Sequence, residues 1–427
     1  MREDLLHFIW NYKKLQLDRL VTTKQQKITI IDSGYHNLLE GPDFFNAKME
    51  IDNQLWAGNV ELHVKSSDWY AHHHESDLNY NAVILHVVWE HDMEVFTTNN
   101  SAIPTLELKE VISAQLLENY KALFSAKHNA FIKCEKRIAT VDSFVVKNWL
   151  DRLFVERLTQ KTIEIQRLQK ITNNNWEQMM FVILARSFGT KINADAFEHL
   201  ALSFDFSIVR KLRHDAFALE SLFLGMAGLL ASNEKVDSYY VALQKQFYFQ
   251  KSKFSLTPQR LSVPAFFKLR PANFPTIRLS QLAALYAKHA TVFKLLITLN
   301  SIVQIREVLS VKASEYWSTH YTFGTALKAS SKVISNSFVN IIVLNAIIPL
   351  RFAYGKYTGS PQEEAIFEIV SALKPEVNAI TKGFALSGIK MSDAKESQAG
   401  IELYQSYCTQ NKCLQCAIGM QLLNRNG

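Results

Sequence analysis

The hydrophobic pattern of this 427-residue chain changes period partway along, and that change limits the folds open to it. Short alternating apolar segments at residues 27–31, 45–51, 55–64, 82–89 and 105–108 read as strands. Helical spacing brackets them at residues 3–20 and 111–124. After Val141 the pattern is helical, with blocks at 143–158, 176–187, 194–202, 218–230, 236–249, 279–299, 331–350 and 363–373. Strands first and helices afterwards predict an α+β chain: a mixed α/β domain over residues 1–135, then a large all-helical region over 136–427 built as one or two bundles. No repeat of fixed period argues for a solenoid.

The length exceeds one typical core, and 48% hydrophobic with 20% charged residues describes a globular chain rather than a disordered one. Charge is divided unevenly. Residues 1–130 hold 18 acidic against 11 basic side chains, and the remaining residues hold 36 basic against 22 acidic. The acidic part suits a cation site, and the basic remainder suits a polyanion, with nucleic acid the leading candidate partner. The first ten residues carry early acids and no apolar leader pattern. The most apolar run, Ile341 to Leu350, is shorter than a bilayer span and reads as a buried helix ending near Pro349. A cytoplasmic protein without a membrane partner is the expectation.

Two motifs concentrate the chemistry of the first part. Gly41-Pro42-Asp43-Phe44 precedes an extended segment that ends in Glu61-Leu62-His63-Val64-Lys65. Alternation places Glu61, His63 and Lys65 on one strand face and Val60, Leu62 and Val64 on the other. Two carboxylates hold a hard cation such as Mg²⁺ or Mn²⁺, while a lysine or imidazole orients the nucleophile or steadies developing charge. The layout resembles the PD-(D/E)xK nuclease superfamily, which implies Asp43 and Glu61 as metal ligands. His63 stands where that superfamily carries lysine, and Lys65, one pleat further on, is the substitute. The competing reading is a hairpin turn at Pro42-Asp43 and a solvated polar strand face.

Nine of the 13 histidines fall within the first 128 residues. Asp68, His72, His74 and Asp77 follow the motif directly, and His86 interrupts the apolar run Ala82 to Val88. These are candidates to support the metal or touch a phosphate, although a lone histidine in an apolar strand is more often a hydrogen-bonded core residue. In the helical part, Arg270 and Arg278 flank a loop with two prolines, and residues 315–321 pack three aromatics beside His320. Arginine and aromatic groups pair with phosphate and stack on bases, but the same residues also build helix–helix cores.

Only four cysteines are present, three of them as Cys408-x4-Cys413-x2-Cys416, with Cys134 far upstream. This spacing reads as a zinc or iron–sulfur ligand set, against the alternative of small buried thiols on a terminal helix. Some nucleases of the superfamily above tie the chain end to the catalytic domain with a four-cysteine iron–sulfur cluster, and this arrangement is similar in concept.

Taken together, the two motifs, Ser67-Asp68-Trp69, Leu85-His86-Val87-Val88, the Arg270–Arg278 loop and Cys413-Leu414-Gln415-Cys416-Ala417-Ile418-Gly419 look like a full-length family of unknown function found mainly in Bacteroidetes. That resemblance implies no activity. The residues themselves point to a metal-dependent nuclease acting on DNA or RNA. The alternatives are a non-catalytic nucleic-acid-binding or scaffold protein with an inactive nuclease-like domain, and a hydrolase of a small phosphorylated molecule.

Overall fold

A computed structural model describes residues 2–125, 130–232, 236–258 and 263–425. The chain forms two compact units. The first combines residues 1–150, 382–390 and 402–427, and the second combines 151–381 and 391–401. This is not the single cut near residue 135 that the change of period suggests. The C-terminal segment returns to the first unit, where the Asn119 amide donates to the carbonyls of Leu423 and Arg425 at 3.1 and 2.9 Å and Arg137 donates to that of Leu422 at 3.2 Å.

The α+β architecture is as expected, with one six-stranded mixed sheet in the first unit. Its strands are β1 (Ile28–Asp32), β2 (Tyr35–His36), β3 (Phe44–Ile51), β4 (Gln54–Lys65), β5 (Val83–Glu90) and β6 (Thr105–Glu107). The order is β1-β3-β4-β5-β6, with β2 paired to β3. Neighbours β1, β3 and β4 run antiparallel, whereas β4, β5 and β6 run parallel. The β3–β4 hairpin closes through Asp52 and Asn53, both at positive φ (49° and 63°), which is the twist a tight hairpin turn requires. Both strands at the centre of the sheet become buried on both faces: Asn59 to His63 of β4 and Val83 to Val88 of β5. At Gly58 a side-chain carbon would meet Ile84 Cγ2 at 2.4 Å and the Ala82 carbonyl at 2.6 Å, so glycine permits the close entry of β5 beside β4.

The first helix, α1 (Glu3–Asn11), is shorter than the spacing over residues 3–20 suggests. Lys13, at φ 48°, turns the chain out of it. Its buried face, Leu5, Leu6, Ile9 and Trp10, supplies the core, and the Trp10 indole donates to the Ser33 carbonyl at 3.0 Å. Two short elements complete the frame used below, α2 (Asp68–Ala71) and α3 (Ala114–Phe124).

The second unit is helical. The block expected at 279–299 is two helices, Pro275–Lys288 and Val292–Thr298, because His289 is extended between them. Pro349, expected to end a helix, does not. The helix starts at Asn336, passes through a π turn at Val343–Ile347, and continues to Thr358. The wider turn absorbs the missing N–H and the proline ring. The resulting 23-residue helix is long and apolar enough to cross a membrane, yet 67% of its most apolar window is buried inside the protein, as in a core helix.

Within residues 315–321 Trp317 belongs to the core, while Tyr316, His320 and Tyr321 are half-buried and Glu315 is exposed. Trp317 is fully buried, and its indole donates to Glu220 Oε1 at 2.7 Å. Tyr239 and Ser314 donate to the same oxygen at 3.0 and 3.2 Å, and Ser280 donates to Oε2 at 2.9 Å. Burial pushes the Glu220 carboxyl up against these donors, which favour its charge. Removing the carboxylate strands four donors in the helical core. Glu220→Ala should therefore lower the stability of the second unit by about 2–4 kcal/mol, and Glu220→Gln by less, as read from the urea midpoint.

Candidate metal centre

The site grows out of the β3–β4 pairing. Phe44 opposes Val60 across the ladder, so Asp43 and Glu61 emerge on the other face together. They are locked reciprocally: the Asp43 N–H donates to Glu61 Oε2 at 3.0 Å, and the Leu62 N–H donates to Asp43 Oδ2 at 2.9 Å. In the parallel pair, Glu61 lies beside His86, so that histidine shares the same face.

Because β4 and β5 are parallel, residues 66–82 must cross back along the sheet. This crossover brings His72 and His74 onto Glu61 and His63. His63 Nδ1 lies 2.8 Å from His86 Nε2, and His63 Nε2 lies 3.1 Å from His72 Nδ1. Glu61 Oε1 lies 3.6 Å from His63 Nε2 and 3.4 Å from His74 Nε2. His63, His72 and His74 each offer a ligand atom, all within 4.8 Å of one another, a set no other trio of cysteine, histidine or acidic residues matches among the described residues. His72 is exposed while His63 and His74 are buried, so the group opens to solvent on one side.

The crossover is stiffly built. The Trp69 indole donates to the Phe96 carbonyl at 3.1 Å, and its ring meets those of His74 and His86 edge-on at 5.3 and 5.4 Å. His74 stacks on Tyr80 with ring centroids 3.8 Å apart. Trp69, Tyr80, Val83, Val95 and Ile103 form the apolar cluster beneath. Asp68 and Asp77, considered for substrate contact, instead hold the turns of this connection. Asp68 Oδ2 accepts the Lys65 N–H at 2.9 Å and Asp77 Oδ1 accepts the Asn79 N–H at 2.9 Å.

The electrostatics follow from burial. Loss of solvent, then the Asp43 charge, pushes the Glu61 carboxyl up to about 9. Burial, reinforced by His86 and the other histidines, holds His63 down to about 2, and burial holds His86 down to about 3. His74 is lowered by the same cause. Burial opposes charge on His7 of α1 as well, but the hydrogen bond and charge of Asp43 outweigh it and raise its pKa; His7 Nε2 lies 3.2 Å from Asp43 Oδ2. Neutral imidazoles are what a transition metal binds.

Three imidazoles with one carboxylate favour a borderline cation such as Zn²⁺, Mn²⁺ or Fe²⁺ over Mg²⁺. The arrangement differs from a cation shared by Asp43 and Glu61 alone, since Asp43 Oδ2 is engaged by Leu62 and His7. Lys65 is exposed, with its charge acting on Asp92, and is not part of the group. Arg270 and Arg278 belong to the second unit. Arg278 is buried, donating to Gln281 Oε1 at 2.8 Å and Asn273 Oδ1 at 2.6 Å and lying 3.5 Å from the Phe338 ring centroid, which explains it as an internal brace. The four cysteines lie in the first unit, outside this group. The sequence reading missed His7 and Glu3, whose spacing of four on α1 puts both on one helical face, and Glu3 also acts electrostatically on His7 and Glu61.

The histidine shifts set a pH dependence. Their pKa values are depressed in the fold, so the stability they confer is complete above the unfolded value near 6.5 and is lost as pH falls below it. Metal-free protein should lose on the order of 2 kcal/mol for each of His63 and His86 between pH 7.5 and pH 5. A thermal melt series should show the decline, and a His63→Gln, His86→Gln double variant should flatten it. An unchanged slope in that variant would contradict this origin.

No curated protein matches this chain, and no solved structure does. Residues 3–379 match the family described as "Protein of unknown function (DUF2851)", and the chain belongs to that family.

Proposed function

We propose that the first unit carries a divalent-metal hydrolase centre acting on phosphodiesters of DNA or RNA. The observation that carries this reading is the convergence of Glu61, His63, His72 and His74 beside the Asp43–His7 pair. A cation bound there would polarise a phosphoryl oxygen and acidify a water. Glu61 and the three histidines would hold it, and Glu61 would surrender its proton on binding. With its Nδ1 protonated and donating to His86 Nε2, 2.8 Å away, His63 would present Nε2 as the ligating atom. His7, whose pKa the neighbouring Asp43 raises, would serve as a proton donor to a leaving oxygen. The excess of basic side chains after residue 130 supports a polyanionic substrate.

One observation favours non-catalytic nucleic-acid binding as the second reading. His63 occupies the lysine position of a nuclease-like strand but is uncharged, and Lys65 lies outside the group.

Labelled single- and double-stranded DNA and RNA, incubated with the full chain and Mn²⁺, Zn²⁺ or EDTA, separate the two. Metal-dependent cleavage that falls at least about 100-fold in Glu61→Gln and His74→Ala supports the hydrolase. Binding without cleavage under every metal supports the second reading. Neither binding nor cleavage removes both.

A further inference from the structure

The second unit holds an open cavity of about 690 Å³, a size that suits a small molecule, and its lining carries charge of both signs without partners. Three elements build it. The helix Val292–Thr298 runs out into Leu299 and Asn300, and the long helix Asn336–Thr358 supplies Arg351. Gly359, at φ 68°, then turns the chain through Pro361 into the helix Glu363–Ser371.

Arg351 is only 2% exposed, yet it lines this cavity. Its Nε donates to Gln362 Oε1 at 2.9 Å, and its two terminal nitrogens donate to the Leu299 carbonyl and, at 2.9 Å, to Asn300 Oδ1. All three acceptors are neutral, and three bonds on five N–H donors leave two for a ligand. Among the described residues no carboxylate forms an ion pair with the guanidinium, whose pKa burial lowers. A buried charge in this state is costly until an anion joins it. Further donors stand beside it. Asn300 and Gln362, which also line the cavity, turn their oxygens to Arg351 and so keep their NH₂ groups for other partners. The first turn of Glu363–Ser371 has no side-chain cap on its N–H groups.

The same cavity carries the opposite sign. Glu363 Oε2 is buried without a hydrogen-bond partner, and both Glu363 and Glu364 line the space. A carboxylate oxygen so placed calls for a donor. A simple anion would meet the two carboxylates and a simple cation would meet the guanidinium, each at a repulsive cost. A ligand bearing both charges meets each with its complement. Ile297 and Pro361 add apolar wall for the body of such a ligand.

We propose that this cavity binds a small zwitterion, an amino acid or short peptide, with its carboxylate on Arg351, Asn300 and Gln362 and its ammonium on Glu363. The site shares no residue with the histidine centre and does not depend on the hydrolase reading.

Calorimetric titration of the full chain tests this with the common amino acids, dialanine and trialanine, each up to about 10 mM. Saturable binding of at least one is expected, and it should weaken at least about tenfold when the amine of that ligand is acetylated or its carboxylate amidated. Tighter binding of the single residues assigns the site to amino acids, and tighter binding of the alanine peptides assigns it to peptides. Glu363→Gln should abolish the preference for the free amine, and Arg351→Lys should weaken binding through the carboxylate. Should the Arg351 variant fail to fold, the derivatised ligands on the unsubstituted chain decide. Three results would overturn the proposal: no saturation by any of these ligands, acetate or inorganic phosphate binding as tightly as the zwitterions, or an unchanged preference for the free amine in Glu363→Gln.

Discussion

The parallel pairing of β4 with β5 is the constraint on which the first unit turns. An antiparallel partner would need only a short turn, whereas a parallel one forces the chain to travel back along the sheet. That return path is residues 66–82, and it carries His72, His74, Trp69 and Tyr80 across the face where Glu61, His63 and His86 already project. Gly58 admits β5 at close range, and the Asp43–Glu61 clamp sets the level of β3 beside it. The histidine group is thus a consequence of strand order rather than of one motif.

The same burial that packs the group also decides its charge. Glu61 and His63 are both driven toward their neutral forms, one upward and one downward, because neither finds enough solvent. Asp43 differs in having His7, whose pKa it raises, 3.2 Å away. The face therefore pairs uncharged ligating atoms with a salt bridge at its margin, an arrangement that receives a cation without first having to break a strong internal ion pair.

Much of the fold was legible because the two periodicities are strong: every strand segment read from alternation has a counterpart within a residue or two. Asp43, Glu61 and His63 were visible as a face for the same reason. What alternation cannot state is which strands pair in parallel, and so the role of His72 and His74 as partners of His63 was not readable from their spacing. His7 was hidden for a related reason, since it reaches the site from a helix at the far end of the sequence. Arg278 and Trp317 carried surface-binding chemistry in their types, but burial against Phe338 and Glu220 assigns them to the core. Pro349 shows the limit of local rules, because a π turn takes up its steric demand.

The return of residues 402–427 to the first unit bears on the order in which the protein is made. A ribosome releases the sheet early, but Asn119 and Arg137 meet their carbonyl partners only once residues 422–425 have left the exit tunnel. Most of the second unit emerges before then and has time to fold during translation. Until residues 417–423 are made, the first unit waits with the α3 surface around Leu116, Tyr120 and Leu123 uncovered, an interval in which chaperone protection would matter most.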